Sequence, residues 1–155
     1  MRQVCLIVGL GALVLFAGCQ DAGTWIDASA MDSAAADAAL ARGDRQEAVG
    51  ALRRIVERAV PDDVAPEDGR VVQQDAYERW ARIELERGDA ASALALVDRG
   101  LALGERDDVF TANLLTLRGR AHEASGRDRE AASDYHRALR IEEQLLDRVL
   151  GGGDE

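Results

Sequence analysis

Three glycines set the framework of this chain. Gly43, Gly88 and Gly126 are each followed five residues later by an alanine: Ala48, Ala93 and Ala131. Four residues beyond each alanine stands a larger side chain, Leu52, Val97 or Tyr135. Offsets of seven and eight then give Ile55 and Val56, Gly100 and Leu101, and Ala138 and Leu139. Positions 0, 4, 7 and 8 lie on one face of an α-helix, so each glycine is expected to precede an amphipathic helix. The segment before each glycine carries its own helical stripe. Ala35, Ala36, Ala39 and Leu40 form the first, Tyr77, Trp80, Ala81 and Leu85 the second, and Phe110, Leu114, Leu117 and Ala121 the third. Each unit therefore reads as helix, glycine turn, helix. Glycine suits the turn because the chain must turn left-handed there.

Composition agrees with an all-α fold. Only two prolines interrupt 155 residues, and aromatics are 4%, so small alanine-rich interfaces must carry much of the packing. Asp44 followed by Glu47 reads as a capping pair for the second helix of the first unit. Asp108 reads as the cap of the first helix of the third. The longest connection is expected at Val60 to Arg70, which holds Pro61, Pro66 and Gly69.

The three units resemble the tetratricopeptide repeat, over roughly residues 29 to 141. That family sets small residues where paired helices approach most closely. Here Ala36 and Ala48, then Ala81, Ala93 and Gly100, then Gly119, Ala131 and Ala138 match. Ile55 departs from the pattern, as do Glu84 and His122, which stand where an aromatic is preferred. The glycines are 45 and then 38 residues apart, against a family period of about 34, so longer connections are expected. The resemblance implies an α-solenoid of about three helical hairpins. A plain bundle of six helices would share the hydrophobic pattern; the recurring glycine-to-alanine spacing favours the repeat.

The first residues read as an address. Met1-Arg2-Gln3 is a short positive start, and Val4 to Ala17 is an unbroken apolar run. At roughly 14 residues it falls short of the about 20 that span a membrane, and it fits the core of a secretory signal. Ala17-Gly18-Cys19 resembles the lipobox of bacterial lipoproteins, with Phe16 departing from the usual Leu, Val or Ile. The resemblance implies a signal peptide over 1–18 and a lipidated Cys19 facing the periplasm. Gln20 after it resembles the sorting pattern for the outer rather than the inner membrane. Residues 19–31 then read as a polar tether of about 40 Å at full stretch. Its large apolar side chains, Trp25 and Ile26, rest either on the membrane interface or on the first hairpin. Residues 32–150 form the repeat domain and 151–155 a tail.

Charge and residue types narrow the function. A formal net charge of -10 argues against nucleic acid and against an anionic lipid surface. All 19 basic side chains are arginine, which removes lysine chemistry. Cys5 and Cys19 both precede the body, so the fold is expected to hold without a disulfide. His122 and His136 lack metal-ligand spacing, the serines lack a paired base, and the loop acids Asp62, Asp63, Glu67 and Asp68 lack the alternation of a calcium loop. No catalytic residue and no cofactor is expected.

The repeat family binds extended peptides or partner helices on the face formed by its first helices. The resemblance places Asp37 and Leu40, then Asp75, Glu78, Arg82 and Glu86, then Asn113, Thr116 and Arg120 on that face. Arg82 and Arg120 occupy equivalent places, and two guanidinium groups so placed suit a carboxylate or an acidic segment. Glu78, Arg82 and Glu86 are also spaced to pair along their own helix. The expected partner is an envelope protein, with the membrane held through Cys19. The end of the last helix, with Leu145, Leu146 and Val149, is either a cap over the core or a stripe for homo-oligomerisation, which would make the chain a structural spacer.

Overall fold

A computed structural model describes residues 21–151. The expected signal peptide over 1–18, the expected lipidation site Cys19, and residues 152–155 lie outside that range. The fold is all-α. The described residues form α1 (Ala22–Ala41), α2 (Arg45–Glu57), α3 (Pro66–Glu86), α4 (Ala90–Ala102), α5 (Val109–Ala124) and α6 (Asp128–Gly151). α1 packs on α2, α3 on α4, and α5 on α6; these hairpins join through α2 on α3, α4 on α5 and α3 on α5.

Each hairpin is closed by the same turn. Gly43, Gly88 and Gly126 have φ of 77, 83 and 70°. The N–H of the residue after each glycine reaches back five residues to a carbonyl: Asp44 to Ala39, Asp89 to Glu84 and Arg127 to His122, each 2.9 Å. The glycine N–H itself donates to Leu40, Leu85 or Glu123, again at 2.9 Å. This is the Schellman arrangement, and it satisfies carbonyls that the helix end would orphan. Asp44 and Asp89 then start α2 and α4 by accepting from the N–H of Glu47 and Ser92, at 2.9 Å each. Only half of the expected capping box forms, because the Glu47 carboxylate turns to Arg42 at 2.7 Å. Asp108 caps α5 through the Thr111 N–H at 2.9 Å.

Two apolar clusters fill the interior. Ala36, Ala39, Ala48, Ala51, Leu52 and Ile55 meet Ala76 and Ile83, joining the first hairpin to α3. The other runs from Ala81 through α4 and α5 to Ala138 and Ile141 on α6. Trp80 is packed against both. The small residues sit where helices close up. A Cβ on Gly100 would lie 3.1 Å from the Leu114 methyls, and one on Gly119 2.6 Å from the Tyr135 ring. Leu139 departs from its expected core role and is 55% exposed, because no further helix packs on α6 at that face.

Polar pairs tie the helices together as well. Asp32 on α1 takes Arg54 of α2 and Arg58 just past its end, at 2.7 and 2.5 Å. Arg118 on α5 takes Asp134 on α6 at 2.7 Å and Asp98 on α4 at 3.2 Å. The deepest group joins α3 to the α4–α5 connection. Arg70, 6% exposed, bonds to Glu67, Gln74 and Asp108. Gln74, fully buried, donates to the carbonyls of Gly100 and Gly104 at 3.0 and 3.1 Å. Burial opposes ionisation of Asp108, but the Thr111 N–H and the Arg70 guanidinium outweigh it and hold its carboxyl below the ordinary range.

Two expectations are corrected. The tether over 19–31 is helical from Ala22, so the folded body begins ten residues before 32. The Asp21 carboxylate caps the Thr24 N–H at 2.8 Å, and Asp63 takes the Ala22 N–H at 3.0 Å. Trp25 is fully buried and Ser29 accepts from Arg58, so this turn belongs to the core of α1. Likewise the long connection ends at Pro66 rather than Arg70. Proline with its fixed φ opens α3, and Glu67 and Asp68 lie in the first helical turn, where carboxylates face the positive end of the helix.

Candidate functional site

Of the nine expected groove residues, Asp37 and Leu40 lie on α1 and the other seven on α3 or α5. Glu78, Arg82, Asn113, Thr116 and Arg120 line one shallow depression of about 140 Å³ between the two helices, floored by Leu117. Arg82 and Glu86 also border a wider depression of about 420 Å³ between α3 and the end of α1, with Asp37, Leu40 and Arg45. Asp75 lies apart from both. It lines a third depression, of about 300 Å³, toward the N-terminal ends of α1, α3 and α5. Arg82 borders the first two, on either side of α3, and the third lies nearer the starts of the helices.

The charges on this face are unevenly free. Glu78 is 8% exposed and accepts from Arg82 one turn on, so its carboxylate is committed within α3. Glu86 reaches Arg45 at 3.7 Å, and Asp75 reaches Arg79 at 3.6 Å. Arg120 is exposed and has no acidic partner within ion-pair distance among the described residues. Arg82, half exposed, keeps part of its guanidinium toward solvent. A planar fork on each side of a shallow, polar-walled depression suits a carboxylate better than a cation.

Arg79, which sequence spacing did not single out, shapes this face. It extends from α3 to α1, donating to Ser33 at 2.7 Å and to Asp37. The four-residue step from Asp75 was its only local signal; its partners on α1 lie more than 40 residues away and leave none. Arg53 of α2 similarly stacks over Trp80 at 5.2 Å from the ring centre.

The third depression differs in chemistry. Ile26, Ala30, Val71, Val72 and Phe110 make it mostly apolar, with Asp75 and Ser33 at its margin. Ile26, expected either at the membrane or on the first hairpin, stands on its wall and is 50% exposed.

The remaining polar residues do not converge. His122 has its Nε2 3.7 Å from the Asp134 carboxylate, whereas His136 is exposed on α6. Among the described residues no group of three His, Cys, Asp or Glu is placed to hold a metal ion. No described helix is long and apolar enough to cross a membrane. Beyond α5, the last turns of α6 split in two: Leu145 packs on the core, while Leu146, Val149 and Leu150 are 56, 76 and 70% exposed. No family model, curated protein or solved structure matches this chain.

Proposed function

We propose that this chain is a lipid-anchored envelope protein that recruits another protein through the face of α1, α3 and α5, with the hairpins arranged as a short tetratricopeptide-like solenoid. The observation that carries the reading is the juxtaposition of Arg82 and Arg120 with Asn113 and Thr116 in one exposed depression, on equivalent helices of successive hairpins. The threefold glycine turn supports the repeat, since a unit that recurs in backbone hydrogen bonding as well as in sequence is how solenoids are built. The apolar run and Ala17-Gly18-Cys19 support the anchor. Because α1 starts three residues after Cys19, the body would be carried close to the bilayer.

Co-purification from detergent-solubilised membranes of the native host tests the reading. The expected result is a discrete envelope protein that is lost when Arg82 and Arg120 are both changed to Glu and kept when exposed Arg99 on α4 is changed to Glu. Equal recovery from both variants contradicts it. Labelled palmitate entering the chain, and failing to enter Cys19→Ser, tests the anchor.

A second reading rests on the exposed Leu146, Val149 and Leu150. In it α6 pairs with a second copy, and the chain is a structural spacer. Sedimentation of the purified chain separates the two: a concentration-dependent dimer lost in Leu146→Glu favours the spacer.

A further inference from the structure

We propose that the depression between α6 and the α4–α5 connection binds a phosphorylated polyol, a phosphate ester with free hydroxyl groups such as glycerol phosphate. It shares no residue with the expected groove on α1, α3 and α5, so it stands apart from the adaptor reading. Its volume is about 370 Å³, inside the roughly 300–1,000 Å³ of small-molecule sites and suited to a phosphate with a short polyol. Arg137, Arg140 and Gln144 come from one face of α6, and Glu105, Arg106 and Asp107 from the connection.

The charges single this depression out. The chain has a net charge of -10, so carboxylates are in surplus. Yet Arg106, Arg140 and Arg148 reach none within ion-pair distance among the described residues. Arg106 donates instead to the Glu105 carbonyl at 3.3 Å, and Arg148, one turn beyond Gln144, to the Asp107 carbonyl at 2.7 Å. A carbonyl holds a guanidinium without neutralising it, so these forks stay available to an anion. Arg137 is paired with Glu105. Two uncommitted cations, Arg106 and Arg140, therefore face one uncommitted acid, Asp107, in the lining. Planar forks match the oxygens of a phosphate. Asp107 repels a bare oxyanion but accepts from hydroxyls, as does the Gln144 amide oxygen; a polyol beside the phosphate meets both.

Two sources carry this chemistry. Ile26 near the start of α1 and Phe110 at the start of α5 line one depression, so the site stands at the end of the molecule where the chain arrives from Cys19. A lipid headgroup of glycerol phosphate and the free ester present the same groups there.

Isothermal titration calorimetry of the full-length chain in nonionic detergent tests the site. The ligands are glycerol phosphate, inorganic phosphate, glycerol and acetate, at low salt because exposed charges are screened. Glycerol phosphate is expected to bind about tenfold or more tighter than inorganic phosphate, with glycerol and acetate silent. Arg140→Ala should weaken it about tenfold, since a hydrogen bond to a charged group is worth that much. The thermal midpoint of that variant should stay unchanged, and Arg99→Ala on α4 should bind as the parent does. Asp107→Asn should erase the preference for glycerol phosphate over inorganic phosphate. Equal tightening of both would overturn the polyol and leave a general basic patch.

Short-chain lipids separate the sources. Dihexanoyl phosphatidylglycerol binding at least as tightly as glycerol phosphate, with dihexanoyl phosphatidylcholine inert, assigns the site to a headgroup. Binding of glycerol phosphate alone assigns it to the free ester. Silence from both, acetate as tight as glycerol phosphate, or an affinity indifferent to Arg140 overturns the proposal.

Discussion

The turns inside the hairpins and the connections between them are built on opposite principles. Inside, Gly43, Gly88 and Gly126 repeat one backbone pattern, and every hydrogen bond in it spans five residues or fewer. Between, each connection is held by its own set of distant side chains. The α2–α3 connection folds under α1 and gives Asp63 to its first N–H. The α4–α5 connection is held by Arg70 and Gln74, whose partners Gly100, Gly104 and Asp108 lie 26 to 38 residues away. Local chemistry thus makes the units, whereas individual buried polar groups fix how one unit sits on the next. The face of α1, α3 and α5 inherits its shape from the second kind of contact, since the register of α3 against α5 decides whether Arg82 and Arg120 meet.

The comparison predicts a hierarchy of damage. Arg70→Met should be the costliest single substitution. It leaves the Asp108 carboxylate and the Gln74 amide oxygen without their buried donor. Loss of one partner of a buried pair costs about 3–5 kcal/mol, and the partial exposure of Asp108 places this case near about 3. Thermal denaturation should show a midpoint lower by on the order of 10 °C. A shift below about 1 kcal/mol would mean that the connection is held by apolar packing alone.

Gly88→Ala is next. Its φ of 83° lies in the left-handed region, which costs a non-glycine residue about 1–2 kcal/mol, and no neighbour crowds the added methyl. The loss is therefore expected to be purely conformational. Urea denaturation should show it without a change in slope, and Gly43→Ala should match it. Unequal values would break the claim that the turns are one repeated unit. Asp44→Ala removes a single cap and should cost about 1 kcal/mol by the same measurement.

These outcomes bear on what was readable in the sequence. The hairpins were, because a glycine, its capping residue and a 3.6-residue stripe act within a few residues of one another. The start of α1 was not. Asp21, Gly23 and Asp27 look like tether, but the Asp21 cap, the burial of Trp25 and the reach of Asp63 from a distant connection hold that stretch in the helix. The candidate site falls between. Five of its nine expected residues come together in one depression, but the commitment of Glu78 to Arg82 and the bridge from Arg79 to α1 appear only in three dimensions. The apolar depression was hidden for the same reason, since its lining comes from four helices.

Acid should act on the smallest scale and on both kinds of region. Burial disfavours the charged form of Asp32, yet Arg58 and Arg54 hold its carboxyl below the ordinary value, as Thr111 and Arg70 do for Asp108. Groups with lowered folded pKa add stability that is present above the ordinary carboxylate value, about 4, and lost as pH falls through the folded value. Unfolding free energy should therefore be flat near neutrality and decline below about pH 4. Arg70→Met should decline less steeply, and an unchanged slope would show that Arg70 does not hold Asp108 ionised.

The central claim is that the face of α1, α3 and α5 is where a partner binds. Photo-crosslinking in the native host tests it most directly, with a reactive residue placed in turn at Thr116, at exposed Ala95 on α4 and at Leu146 on α6. A placed probe is needed because the chain has no lysine for amine-directed reagents. The account predicts a discrete heterologous adduct from Thr116 and none from Ala95. A silent Thr116 together with a self-adduct from Leu146 would contradict it and make the spacer the working description.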